Sequence, residues 1–175
     1  MGNLKQAIKQ NYLKCAKDPS YFINEFCVIQ HPQRGKIKFR LYPYQYDVLE
    51  EYEKHDYNVV LKSRQLGIST LTAAYSLWMM LFHADKNILC IATAKDTAKN
   101  LVTKVRIMYE GLPNWLKTAI VENNKLSVTF RIFSNSTNGY SKCSNASKAV
   151  AISYFLFELN SKPLDNKLLL YLSVQ

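Results

Sequence analysis

The stretch Lys62-Ser63-Arg64-Gln65-Leu66-Gly67-Ile68-Ser69-Thr70 carries residue types at a spacing that could bind phosphate. Phosphate binding by a loop needs a strand ending in a tight turn, backbone N–H groups that curl around the oxygens, and a helix whose amino end adds its dipole. Tyr57 to Leu61 is a short β-branched run, and Leu71 to Phe82 is nearly all apolar, so strand, loop and buried helix are expected in that order. Against the pattern GxxxxGK[ST], Gly67 takes the second glycine and Ser69 the hydroxyl that would ligand Mg2+. Two positions depart from it. Lys62 stands where the first glycine belongs, and Ile68 stands where the phosphate-binding lysine belongs. A cation near the β and γ phosphates is still required, and Lys62 and Arg64 both stand where they could reach back over the loop. Ser63, Gln65, Leu66, Ile68 and Thr70 would then supply the backbone of the cup. The same residues are compatible with a plain strand-to-helix turn that exposes a Lys and an Arg.

Hydrolysis of a bound triphosphate needs more than the loop. An apolar strand ending in Asp-Glu would place one carboxylate on the metal and the next on the attacking water. No Asp-Glu pair follows residue 90; the nearest stretch is Ile152-Ser153-Tyr154-Phe155-Leu156-Phe157-Glu158, with a lone Glu at its end. Glu158 reads either as a remnant of that motif or as an ordinary strand-end carboxylate. Thr93-Ala94-Lys95-Asp96 reads as the cap of a helix that follows the next strand.

The elements that must position the loop follow from hydrophobic spacing. Leu4, Ala7, Ile8, Tyr12 and Cys15 predict a helix over 4–17, closed by Asp18-Pro19 and followed by an apolar stretch from Tyr21 to Ile29. His31 to Gly35 predicts a turn; Ile37, Phe39 and Leu41 alternate as in a strand that Pro43 ends. An amphipathic helix is expected from Tyr44 to Lys54. After the loop and its helix, Asn87 to Ala92 predicts a buried strand. Ala98, Leu101, Val102, Val105 and Met108 predict a helix stopped by Gly111 and Pro113. Leu126, Val128, Phe130 and Ile132 alternate with polar residues, as in a half-buried strand. Ser134 to Ser147 reads as a loop, and 160–175 has no placement.

Composition sets the outer limits. A chain of 175 residues, 48% hydrophobic and 13% aromatic, has material for a globular core. Twenty-three Lys and Arg against thirteen Asp and Glu leave a formal charge of +10, which favours polyanionic partners such as DNA, RNA or nucleotide phosphates. Cys15, Cys27, Cys90 and Cys143 lack paired spacing, so neither a zinc site nor a disulfide framework is expected and a reducing setting is. No apolar run reaches membrane-spanning length, which predicts a soluble protein of the cytoplasm.

Lys62 to Thr70 resembles the deviant phosphate loop of the large terminases of tailed bacteriophages, in which a lysine or arginine stands early. Asp18-Pro19-Ser20-Tyr21-Phe22, Gln30-His31-Pro32 and Phe39-Arg40-Leu41-Tyr42-Pro43-Tyr44-Gln45 are similar to the family's lead-in, and Gly111 to Leu116 is similar to a later, structural stretch. The likeness runs from about Asn11 to Phe130. It implies an α/β fold: a three-layer P-loop NTPase-type domain with a mainly parallel central sheet, incomplete at its carboxyl end. Residues 1–56 would form a helical lead-in with the adenine-binding segment, 57–159 a partial ATPase core, and 160–175 an unplaced tail. It further implies ATP and Mg2+ as cofactors, adenine at Tyr44 and Gln45, and Ser69 on the metal. Lys62 and Arg64 would act on the phosphates. Double-stranded DNA, a portal and a small terminase subunit would be partners of a ring in the host cytoplasm, docked transiently on a procapsid. The family continues into a nuclease domain, so a frameshift, an intron or a split gene is expected to interrupt this chain. Two other functions stay open: a non-catalytic basic module that binds nucleic acid through its charge, and another P-loop enzyme such as a helicase, against which Ile68 argues.

Overall fold

Asp18-Pro19 opens a helix as well as closing one. In the computed structural model, which describes residues 2–31, 33–83, 87–92, 94–123, 127–131, 146–150 and 172–174, α1 (Gly2–Lys17) is followed at once by α2 (Pro19–Phe26). Asp18 caps α2: its Oδ1 accepts from the N–H of Ser20 at 2.8 Å and of Tyr21 at 3.1 Å. Proline costs nothing at the first helical position, because an N–H there has no intrahelical acceptor. The turn expected at 31–35 joins β1 (Val28–His31) to β2 (Gly35–Lys38) as an antiparallel pair. Its Gly35 takes φ 70°, where a Cβ would be disfavoured. Pro43 likewise opens α3 (Pro43–Lys54), while the strand expected to run through Leu41 already ends at Lys38.

The helix after the loop, α4 (Ile68–Phe82), is buried at every position from Leu71 to Leu81. A helix apolar on all sides must be enclosed, and α2, α3 and α5 (Lys95–Gly111) pack around it. Trp78 donates its indole N–H to the Cys15 carbonyl of α1 at 2.7 Å. Tyr75 and Trp78 stack at 5.5 Å between centroids, and Phe22 meets Phe82 edge to face at 5.6 Å. Residues on both sides of position 56 thus share one hydrophobic cluster. Trp115 also packs, edge to face against Phe26 at 5.4 Å.

The five-stranded sheet has the order β4-β5-β6-β3-β7, with β3 Asn87–Cys90, β4 Ala119–Asn123, β5 Ser127–Arg131, β6 Ala146–Val150 and β7 Leu172–Val174. The mixture of helix and sheet agrees with the α/β expectation. The mainly parallel sheet does not: among the described strands β3 and β6 pair in parallel, while β4 with β5, β5 with β6 and β3 with β7 are antiparallel. Connection length explains part of this. Only residues 124–126 join β4 to β5, which is too short for the crossover that parallel neighbours require. Three further corrections concern the strands. β4 had no counterpart in the sequence reading, β6 begins inside the stretch read as a loop, and β7 lies in the segment left unplaced. Tyr57 to Leu61, expected as the first core strand, stands outside both sheets. Tyr57, Val59 and Leu61 are 77%, 87% and 81% exposed while Val60 packs on the core, so the alternation is present without strand partners among the described residues.

α5 starts from Ala94 without a side-chain cap; Thr93 lies outside the described residues, and Asp96 instead pairs with Lys99 within the first turn. Its last residue, Gly111, sits against β1 so closely that an added Cβ would overlap Val28 Cγ2. Gly111→Ala is therefore expected to destabilise, although alanine is the better helix former by up to about 1 kcal/mol. Overpacking costs about 1–3 kcal/mol, and an overlap this deep belongs to the upper part of that range, about 2–3 kcal/mol, which leaves a net loss of about 1–2 kcal/mol. Thermal unfolding followed by circular dichroism should read this as a melting point lower by roughly 2–8 °C. An unchanged or raised melting point would show that β1 yields freely. Among the described residues no helix is long and apolar enough to cross a membrane.

Candidate functional site

The loop between Leu61 and Leu71 folds into a tight turn that runs into α4. Gln65 and Gly67 both take left-handed backbone, at φ 66° and 71°. Such a conformation costs a non-glycine residue about 1 kcal/mol or more, so the Gln65 backbone is held there by its surroundings. The hold comes from α3. The Leu66 carbonyl accepts the Tyr44 hydroxyl at 2.8 Å and the Gln45 side-chain amide at 3.1 Å. Because the peptide unit is planar, the Gly67 N–H on the other side of that carbonyl points away from α3.

Gly67 is the N-cap of α4, and its carbonyl accepts the N–H of Thr70 and of Leu71, both at 2.9 Å. The N–H groups of Gly67, Ile68 and Ser69 have no acceptor among the described residues, and no side chain caps the helix. Free donors at the positive end of a helix dipole suit an anion. Ile68, at the position where the GxxxxGK[ST] pattern has lysine, is only 2% exposed and belongs to the core. An apolar residue is what that orientation requires.

Lys62 is half-buried at the start of the loop, with its ammonium on the Ser63 carbonyl at 3.3 Å; Ser63, Arg64 and Gln65 are exposed. A third cation arrives from α5. Lys104 is half-buried and donates to Thr70 Oγ1 at 3.1 Å. Burial, and then the nearby Lys62, hold its ammonium below the ordinary lysine range. Among the described residues no carboxylate lies within ion-pair distance of Lys62, Arg64 or Lys104. Lys104 escaped the sequence reading because α5 was read for its apolar face alone. The available signal was its place three residues after Leu101 and four before Met108, on the border of that buried face.

Ser69 is half-buried, lines a cavity of about 390 Å3 beside the loop, and makes no hydrogen bond through its hydroxyl among the described residues. A free hydroxyl next to uncapped N–H groups fits a Mg2+ held chiefly by phosphate oxygens and water, as that ion prefers. Among the described residues no group of three His, Cys, Asp or Glu could hold a metal by itself. Glu158 lies outside the described residues.

Tyr44 and Gln45 do come to the loop, in a different manner from the one expected. Gln45 is 1% exposed and uses both ends of its amide, accepting from the Tyr42 N–H at 3.1 Å as it donates to Leu66. It is a strut between α3 and the loop. Pro43 at the first helical position makes Gln45 the third, where a Gln reaches back to the N-cap amide; that signal was present in the sequence. Tyr44 is part-exposed and stacks on the exposed Tyr42 at 5.8 Å, with the rings 6° from parallel. No family model matches this chain.

Proposed function

We propose that this chain is the ATP-binding part of a viral DNA-packaging motor of the large-terminase type, built as a three-layer P-loop domain. In it, ATP hydrolysis would be coupled to the movement of DNA into a capsid. What supports the reading is the start of α4: three uncapped N–H groups beside a left-handed glycine, with Lys62 and Arg64 at the leading edge of the loop and no described carboxylate to neutralise them. An anion cup with its cation at the front is the arrangement that the departures at Lys62 and Ile68 require.

On this reading the N–H groups of Gly67, Ile68 and Ser69 receive the phosphate oxygens. Lys62 and Arg64 neutralise them, and the Ser69 hydroxyl joins the coordination of Mg2+, which offsets charge between the phosphates. Ser63, Gln65, Leu66 and Thr70 shape the cup, and Tyr44 offers a ring edge and face to the adenine. The formal charge of +10 suits a DNA partner. The portal, the small subunit, the ring and the transient seat on a procapsid belong to the same proposal and rest on the resemblance.

Titration of a fluorescent ATP analogue with Mg2+ tests it. Each charge-assisted contact to phosphate is worth about 1.5–3 kcal/mol, so Lys62→Ala with Arg64→Ala should weaken binding by about a hundredfold or more. Duplex DNA binding is the second readout. An unchanged ATP affinity together with weakened DNA binding would replace the motor by the basic nucleic-acid module.

A further inference from the structure

The cavity beside the loop opens at the carboxyl end of β3, between the start of α4 and the first three turns of α5. Its polar lining comes from Ser69, Thr97, Asn100, Thr103 and Lys104, and Cys90 also lines it. Ligands of α/β sheets collect at the carboxyl ends of strands, where helix starts and loops converge. Ser69 is shared between this cavity and the loop, so the two are one continuous site. Lys104 is held on the Thr70 hydroxyl at 3.1 Å, and it lies within electrostatic reach of Lys62. Two lysines held together with no described carboxylate near either raise each other's energy until an anion enters.

We propose that Lys104 is the residue by which this site distinguishes a nucleoside triphosphate from a diphosphate, receiving the terminal phosphate in the cavity that Ser69 and Asn100 share with it. The proposal rests on the nucleotide reading of the loop and adds the residue and the space that read the third phosphate. Lys62 belongs to the leading edge of the cup and meets whatever phosphates are bound. Lys104 comes from α5 and lines the cavity together with Ser69. Its bond to the Thr70 hydroxyl holds the ammonium in position, and the stem of a lysine leaves it free to turn from that neutral acceptor to a charged one.

Equilibrium titration of the full chain with fluorescent ATP and ADP analogues, each with Mg2+, tests this on the wild type, Lys104→Met, Lys104→Arg and Lys62→Ala. Wild type should prefer ATP. Lys104→Met should lose roughly tenfold or more in ATP affinity while ADP changes by less than about threefold, and Lys104→Arg should retain most of the preference. Lys62→Ala should weaken both nucleotides. Methionine keeps the length of the stem and removes a charge that burial disfavours, so the melting point should not fall; Lys104→Gln serves if it does. An ATP-to-ADP ratio that is unchanged in the Met and Gln variants, or equal losses for both nucleotides, would overturn the role of Lys104 while leaving the loop intact. Failure of the wild type to bind either nucleotide would overturn the loop reading and this inference together.

Discussion

Gly67→Val is expected to abolish nucleotide binding and to lower the melting point of the protein. Gly67 holds φ 71°, where a β-branched residue is strained by at least about 1–2 kcal/mol. A Cβ built there would also lie 3.0 Å from Nε2 of Gln45. That amide cannot move aside cheaply, because its two ends are committed to Leu66 and Tyr42 in a site that is 1% exposed. Strain and overlap together come to about 3 kcal/mol, or a fall of roughly 6–12 °C in melting temperature. The loop can relieve it only by turning the Gly67 peptide, which swings away the N–H groups proposed to meet phosphate. ATP affinity should drop more than about a hundredfold, since the cup and not one contact is lost. Retention of wild-type affinity by a folded Gly67→Val protein would mean that nucleotide binds somewhere other than this loop.

Gln45→Ala should cost almost as much by a different route. Truncation leaves the part-buried Tyr42 N–H without its acceptor, removes one of two donors from the Leu66 carbonyl, and opens a void under α3. The lost hydrogen bonds and a partly filled cavity amount to about 3 kcal/mol. Melting should fall by roughly 6–12 °C, with nucleotide affinity reduced because Leu66 is held only by Tyr44. Gln45→Glu separates the hydrogen bonds from the volume. Above its folded pKa the substituted carboxyl is a buried anion that accepts from Tyr42 but cannot donate to Leu66. Burial raises that pKa, so the penalty is full above the folded value, shrinks as pH falls below it and the protonated group can donate again, and vanishes only below the unfolded carboxyl value of about 4.3. Relative to wild type, Q45E should therefore be more stable at pH 4 than at pH 8. The opposite order would show that position 45 is not a buried site.

Both predictions hinge on a contact between α3 and the loop that joins residues twenty-one apart. Pro43, the Gln at the third helical position and the glycine before an apolar helix are local signals, and each was readable because backbone geometry and capping are decided within a few residues. The helices α1, α3, α4 and α5 were legible for the same reason: apolar spacing records which face a helix buries. Strand partners carry no such record. Tyr57 to Leu61 alternates as a strand should, yet alternation is silent about which neighbour, if any, supplies hydrogen bonds. The same limit explains β4, β6 and β7, whose short runs become strands only beside β5 and β3.

By itself the sequence determined where α1, α3, α4 and α5 lie, that a glycine-hinged turn precedes the most apolar of them, and that the protein carries a large positive charge. Tertiary structure alone decided that Gln45 is a buried strut, that Ile68 faces the core, and that Lys104 comes from a helix thirty-odd residues downstream to the edge of the loop. The division has one physical cause. Conformational preference and burial period act along the chain, whereas a hydrogen bond or a pair of repelling charges between distant residues exists only after packing has brought them together.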